Sequence, residues 1–300
     1  MPELPEVQTI VSDLEKFLPE LKILDVWTDH EKMIKYPKSF NGFKKEIVGR
    51  KILKVARKGK NILIHLSGNK TLLIHQKMTG HLMYGEWTAP VLPARRGGHG
   101  WQAVKQGPLR DDPQNRFIHI VFILSNRKQL ALSDMRKFAK VLVWPTDKLK
   151  ELKDIKDVGI DALDKNFTLK KFSQIIKNKK GKIKTVLMDQ SLVAGIGNIY
   201  SDEILWQAGA HPLKEVQKLK TSEIEKIHKA IKPVLKQAIR ARGSSNVDYR
   251  DALGRKGKYQ EMQNAYKQEG KKCEKKDSGV IKRIKIGGRS ARFCPVHQVL

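Results

Sequence analysis

The sequence predicts an α+β, multidomain protein: a β-sandwich preceded by a helix, then a helical domain, then a small basic C-terminal module. Three observations lead there. Apolar residues recur at helical spacing just after the N-terminus. Short Ile/Val/Leu-rich runs separated by turn residues follow as far as Trp144. Helical periodicity returns beyond a charged, weakly periodic stretch at 146–167 and fades again past Arg240.

Residues 5–18 read as one helix, with Val7, Ile10, Val11, Leu14, Phe17 and Leu18 on its apolar stripe. Pro5 suits the first turn, where a missing N–H costs nothing. Strand character follows at 21–28, 46–57, 61–66, 71–75, 117–124, 129–133 and 141–144, as in a sandwich or barrel. The Pro/Gly-rich segment 88–116 interrupts this series and reads as a long surface loop. Residues 146–167 read as an inter-domain linker. Helices are expected at 169–177, 183–189, 199–208 and 222–239. Ser222 and Glu225 form an S-x-x-E capping box for the last, and Pro233 should kink it. These boundaries give domains at 1–145, 168–262 and 263–300.

The 300 residues carry 60 Lys+Arg against 31 Asp+Glu, a formal charge of +29. So large a surplus points to a polyanionic partner, with nucleic acid foremost, whose binding should weaken steeply with salt. The alternative reading of the surplus is a solvated face on a lysine-rich protein. Residues 253–292 alone hold 13 basic and 4 acidic side chains. With 40% hydrophobic residues the chain has enough for a core, which excludes disorder throughout. Two cysteines exclude a disulfide scaffold and suit a reducing compartment. No apolar run approaches membrane-span length. The acidic, proline-punctuated start is unlike a signal peptide. A cytoplasmic monomer that does not engage membranes is expected.

The N-terminus carries the first chemistry. Removal of Met1 would expose Pro2 as a secondary amine, and an α-amino group has a pKa near 8, well below lysine. The positive end of the adjoining helix dipole lowers it further. Glu3 and Glu6 stand three apart beside it, so the amine has carboxylates to move its protons, a workable Schiff-base site. The same residues also read as an ordinary capped helix start.

Here the sequence resembles the formamidopyrimidine-DNA glycosylase/endonuclease VIII family. The resemblance rests on Met1-Pro-Glu-Leu-Pro-Glu-Val7, on 187–200 (LMDQSLVAGIGNIY), and on Ile286-Gly-Gly-Arg289 with Phe293-Cys-Pro295. The second is similar to the family's helix–two-turns–helix motif, the third to its C-terminal β-hairpin finger. Together they run the length of the chain.

The resemblance implies roles. Pro2 would attack C1′ of the damaged nucleotide, Glu3 would act as general acid–base in opening the sugar, and Glu6 would support the site. Lys60 would touch phosphate near the lesion, though it also reads as a strand-edge lysine. His75, Asn198 and Arg289 would clamp phosphates, with a helix cap as the rival role for Asn198. Gly195 and Gly197 should let backbone N–H groups reach phosphate. Met78, Arg136 and Phe138 match the trio that fills the gap left by a flipped base, which favours the oxidised-purine branch. Residues 244–257 occupy the place of the base-capping loop.

The family finger is C-x2-C-x16-C-x2-C, a structural zinc signal. Only Cys273 and Cys294 remain here, with His297 in the fourth slot and Asp277 nearest the second, which implies one extra residue in the first knuckle. Either Cys273, Asp277, Cys294 and His297 bind Zn2+, or the finger holds without metal. The function implied is a bifunctional glycosylase/AP lyase that removes 8-oxoguanine and formamidopyrimidines from damaged double-stranded DNA held between the domains, then cuts by β,δ-elimination. An enzyme for oxidised pyrimidines and a non-catalytic DNA-binding relative are the alternatives.

Overall fold

The computed structural model describes residues 1–88 and 100–300. These divide into two compact units. The first holds Met1–Pro2, Glu6–Lys156 and Arg242–Gly257; the second holds Glu3–Pro5, Asp157–Ala241 and Lys258–Leu300.

In the first unit, α1 (Leu4–Phe17) is followed by β1 (Ile23–Thr28), β2 (Ile34–Tyr36), α2 (Phe40–Ile47), β3 (Ile52–Lys58), β4 (Asn61–Leu66), β5 (Lys70–His75) and β6 (Gly80–Gly85). The short β7 (Trp87–Thr88) and β8 (Gln102–Ala103) pair with each other, and β9 (Ile118–Leu124), β10 (Gln129–Asp134), β11 (Lys140–Pro145) and the single turn α3 (Lys153–Lys156) complete it. One sheet runs β1-β9-β10-β6 and the other β2-β11-β5-β4-β3, antiparallel except where β2 lies parallel to β11. One core draws on both sheets and both long helices: Val7, Ile10 and Leu14 of α1 and Phe43 and Ile47 of α2 pack with Ile64, Ile74, Phe122 and Leu132. This is the expected sandwich.

Two expectations fail locally. The strand expected over 46–57 begins only at Ile52, because Ser39 caps Gly42 N–H and sets up α2, whose Phe43 and Ile47 face the core at helical spacing. The loop expected over 88–116 is not simply a surface loop in its described part, 100–116, since Trp101 and Ala103 bury with Trp87, Met83 and Ile118, and Pro113–Phe117 forms a 3-10 turn. Its remainder, 89–99, lies outside the described residues.

The second unit contains β12 (Ile160–Asp161), α4 (Leu169–Lys177), α5 (Ile183–Leu187), β13 (Val193–Ala194), α6 (Asn198–Ala208), α7 (Thr221–Arg240) and the hairpin β14 (Lys282–Ile286) and β15 (Arg289–Phe293). Its core gathers Leu4 with Phe167, Phe172, Leu187, Tyr200, Ile227, Ile231 and Leu235. The expected Ser222/Glu225 box does not form. The helix starts one residue earlier, and Glu223 accepts from Lys220 N–H, since that puts the carboxylate three residues beyond the cap. The helix continues through Pro233. No helix among the described residues is long and apolar enough to cross a membrane.

Candidate functional site

Helix α6 begins without a side-chain cap, and its first N–H groups need acceptors. Glu3 supplies them: Oε1 accepts from Ile199 N–H at 2.9 Å and Oε2 from Tyr200 N–H at 3.4 Å. The carboxylate is 2% exposed. Gly197 is glycine because a Cβ there would stand 2.3 Å from Glu3 Cδ. Gly195, at φ +106°, accepts from Leu4 N–H at 3.0 Å, and a Cβ on it would strike the Leu4 side chain. The two glycines therefore seat the N-terminal arm, and the N–H groups expected to meet phosphate are held by Glu3. Asn198 is not the cap, which is Gly197; the Asn198 side-chain oxygen is buried and has no hydrogen-bond partner among the described residues.

Beside this seat lies a buried ion pair that sequence reasoning missed. Lys184 Nζ donates to Asp202 at 2.5 Å and to the Asn198 carbonyl at 3.3 Å. Burial is the largest influence on both partners: it pushes Asp202 up to about 7 and draws Lys184 down, against their mutual attraction.

Glu6 is held by a different part of the chain. Its Oε1 accepts from Ser244 N–H at 2.8 Å, and its carbonyl accepts from the Tyr249 hydroxyl at 3.3 Å. Arg242 bonds Asp13 of α1 and Asp251, and Tyr84 N–H reaches the Ala252 carbonyl. These bonds explain why Arg242–Gly257 groups with the sandwich, whereas the sequence-based boundary placed it in the helical domain.

Lys60 follows Gly59 in the β3–β4 turn and is 7% exposed. Arg57 braces that turn, donating to Gln8 on α1 and to the Gly59 carbonyl, each at 2.8 Å. His75 ends β5. Burial, then the charges of Lys77 and Lys60, lower its pKa to about 4, so the ring is neutral at pH 7. Its Nδ1 accepts from Lys77 N–H at 3.0 Å, which leaves the proton on Nε2 as a donor.

The structure brings Met78, Arg136 and Phe138 together at one end of the sandwich. Arg136 Nη1 lies 3.2 Å from the Met78 sulfur, and its guanidinium stacks 4.6 Å from the Phe138 ring centroid. Met78 and Phe138 are 46% and 52% exposed, so neither is a core residue. Asp134 ties the two loops: Oδ1 accepts from the Thr79 hydroxyl and from Arg136 N–H, and Oδ2 from Ala139 N–H. Asp134 heads the segment that holds Arg136 and Phe138, and a buried-strand acid next to a turn was its only sequence signal.

Arg289 is exposed, directly after a turn in which Gly287 and Gly288 both have positive φ, as a tight two-residue hairpin requires. Below the hairpin, Cys273, Asp277, Cys294 and His297 place one ligand atom each within 4.8 Å of one another and could hold a metal ion. Bonds of about 2.0–2.3 Å in a tetrahedral set put ligand atoms about 3.3–3.8 Å apart. Cys273 Sγ stands 3.7 Å from His297 Nδ1 and Cys294 Sγ 3.3 Å from Asp277, while the Asp277–His297 hydrogen bond, at 2.5 Å, is tighter. His297 Nε2 donates to the Trp206 carbonyl, which turns Nδ1 toward the cluster. A Cβ on Gly279 would fall 2.2 Å from Cys294 Sγ, so this position must be bare.

Comparisons with known proteins show what the whole chain is similar to. Residues 1–141 match the formamidopyrimidine-DNA glycosylase N-terminal domain and 158–249 the formamidopyrimidine-DNA glycosylase H2TH domain. A formamidopyrimidine-DNA glycosylase of Pelotomaculum thermopropionicum is 38% identical over 298 residues, covering 99% of each chain. A Lactococcus lactis FPG mutant in complex with a Fapy-dG-containing DNA superposes with TM-score 0.85 at 31% identity, over all of both chains. The L. lactis Fpg in complex with an abasic-site DNA gives TM-score 0.84 at 32% identity, covering 99% of this chain and 100% of that one.

Proposed function

We infer, from the premise that the chain belongs to the formamidopyrimidine-DNA glycosylase family, that it is a bifunctional DNA glycosylase and AP lyase. It removes oxidised purines from damaged duplex DNA and cuts the strand at the resulting abasic site. The observation that carries the catalytic reading is the seat of Glu3. Its carboxylate is fixed by two N–H groups of α6 in the residue next to Pro2, and binding alone needs no such arrangement.

In this mechanism the Pro2 amine, freed by loss of Met1, attacks C1′ of the damaged nucleotide. The N–C1′ bond forms as the base departs. Glu3 moves the proton that opens the sugar ring, and Glu6, through Ser244, holds the neighbouring segment. β,δ-Elimination then releases the strand ends. Neutral His75 donates from Nε2 to a phosphate oxygen, beside Lys60; Asn198 and Arg289 hold further phosphates. Met78, Arg136 and Phe138 fill the space of the extruded nucleotide: an exposed, braced, partly apolar wedge is what unstacking requires.

The two sulfurs, one nitrogen and one carboxylate oxygen of the finger suit zinc. Bound there, zinc would supply a structural cross-link that holds the hairpin carrying Arg289, and no chemical step passes through it.

Borohydride trapping tests the reading. Duplexes with 8-oxoguanine opposite cytosine, or with an oxidised pyrimidine opposite guanine, are incubated with protein and reductant. A covalent adduct on the purine lesion, mapped to Pro2 and lost in Pro2→Gly with DNA affinity retained, is expected. Trapping confined to the pyrimidine lesion would overturn the substrate assignment, and unchanged cleavage by Pro2→Gly would overturn the nucleophile.

A further inference from the structure

The C-terminal end of α6, the middle of α7 and the first knuckle of the finger form a surface cavity of about 490 Å3, within the usual range of ligand pockets. Ala208, Ala230 and Pro233 give it an apolar lining, and the exposed Lys226, Lys229 and Lys275 give it charge. No acidic residue lines it among the described residues. Lys226 and Lys229 stand three apart on one face of α7, with Pro233 a turn further on, and form no ion pair among the described residues. Lys275 is set in place: its Nζ lies 5.0 Å from the Trp206 ring centroid and donates to the Gln207 carbonyl at 3.2 Å. Pro233 has no N–H, so the Lys229 carbonyl four residues back lacks its α-helical donor.

A phosphate backbone and an acidic peptide would both answer three lysines, and the rest of the cavity separates them. Phosphate oxygens only accept hydrogen bonds, whereas the cavity presents the Lys229 carbonyl and the closing turn of α6, the negative end of its dipole. A peptide N–H can donate there. The apolar lining likewise leaves a sugar–phosphate strand nothing to bury, while a side chain set between carboxylates fills it. The phosphate contacts proposed above gather at the other end of α6: Arg289 shares a smaller cavity with Lys184, which reaches the Asn198 carbonyl. The 11 residues of α6 put its two ends about 16 Å apart.

We propose that this cavity docks an acidic peptide segment of a protein partner. Its carboxylates meet Lys226, Lys229 and Lys275, and one apolar side chain lies against Ala208, Ala230 and Pro233. The docking draws on none of the residues assigned above to DNA or to the Pro2 chemistry.

The probe is a fluorescein-labelled synthetic peptide with one phenylalanine among aspartates. Its binding to the full chain is read by anisotropy at about 0.15 M salt, where surface charges are screened beyond about 8 Å. Replacing the phenylalanine by serine should weaken binding about tenfold, the value of burying such a side chain. Lys226→Glu with Lys229→Glu should also weaken it about tenfold. Lys170→Glu with Lys171→Glu on α4, outside the cavity, should change it by less than about twofold. Pro233→Ala returns a donor to the Lys229 carbonyl, so it should weaken the peptide about threefold while raising stability, and a loss of fold cannot account for that result. Affinity for a duplex carrying a tetrahydrofuran abasic analogue should stay within about twofold in the Lys226/Lys229 variant. Equal losses from both lysine pairs, or indifference to the phenylalanine, would mean attraction by net charge alone and overturn the proposal. A duplex that displaces the peptide and itself loses affinity with Lys226→Glu and Lys229→Glu would overturn it in favour of a nucleic-acid surface.

Discussion

Gly197→Ala tests whether the Glu3 seat is built as described. The new Cβ would stand 2.3 Å from Cδ and 2.5 and 2.7 Å from the two carboxylate oxygens, so Glu3 must leave. The backbone at Gly197, φ −132° and ψ −151°, is extended, so alanine brings no left-handed strain. What is lost is a charge-assisted hydrogen bond at 2.9 Å and a longer one at 3.4 Å. The first is worth about 1.5–3 kcal/mol, and the interaction of the carboxylate with the α6 N-terminus adds about 0.3–1 kcal/mol. In a Glu3→Ala background there is no carboxylate to expel, so the same substitution should cost only the ordinary change of cap residue. Urea unfolding of the four-member cycle should therefore show a coupling of about 2 kcal/mol between the positions, well outside the few tenths of independent sites. Additivity within about 0.5 kcal/mol would refute the claim that Gly197 is bare for Glu3's sake.

Three further outcomes are expected. Asp202→Ala leaves Lys184 buried without its partner and should lower stability by about 3–5 kcal/mol, whereas the double change Lys184→Met with Asp202→Leu should recover most of it; a single-variant loss below about 1 kcal/mol would show that the pair contributes little. His75, drawn down to about 4, should be neutral and protonated at Nε2 in nitrogen-resolved NMR at pH 6; a charged ring there would refute the assignment. As the ordinary value of 6.5 lies above the folded value, the unfolded chain binds the extra proton, so His75's share of stability is full above about pH 6.5 and falls as pH drops toward about 4. Elemental analysis should find about one zinc per dialysed chain, and Asp277→Ala should release it; a zinc content unaffected by Asp277→Ala would remove that residue from the ligand set.

Much of this protein was legible in its residues. Patterning placed α1, β4 and α4 to within a residue or so, because α4 buries one apolar face at helical spacing, α1 carries a long apolar stripe, and β4 is a short apolar run buried on both sides. Pro2-Glu3 and the Gly287-Gly288 turn stood out through terminal and turn chemistry written in adjacent residues, whereas Met78, Arg136, Phe138 and Arg289 were singled out by the family resemblance. Segments whose apolar residues are few were misread, as where Phe43 and Ile47 alone define the buried face of α2.

Only the tertiary structure decided what lies far apart in sequence. Glu3 meets Ile199, Glu6 meets Ser244, and His81 meets Asp248, pairs whose separation leaves no local signal. Composition announced an anionic partner through a surplus of lysine and arginine, yet the residues that organise the site are mostly buried acids. Glu3, Glu6 and Asp134 are each 2% exposed or less. A buried carboxylate is costly unless N–H groups converge on it, and that convergence exists only once the chain has folded, which is why sequence named Glu3 and Glu6 but could not say what held them.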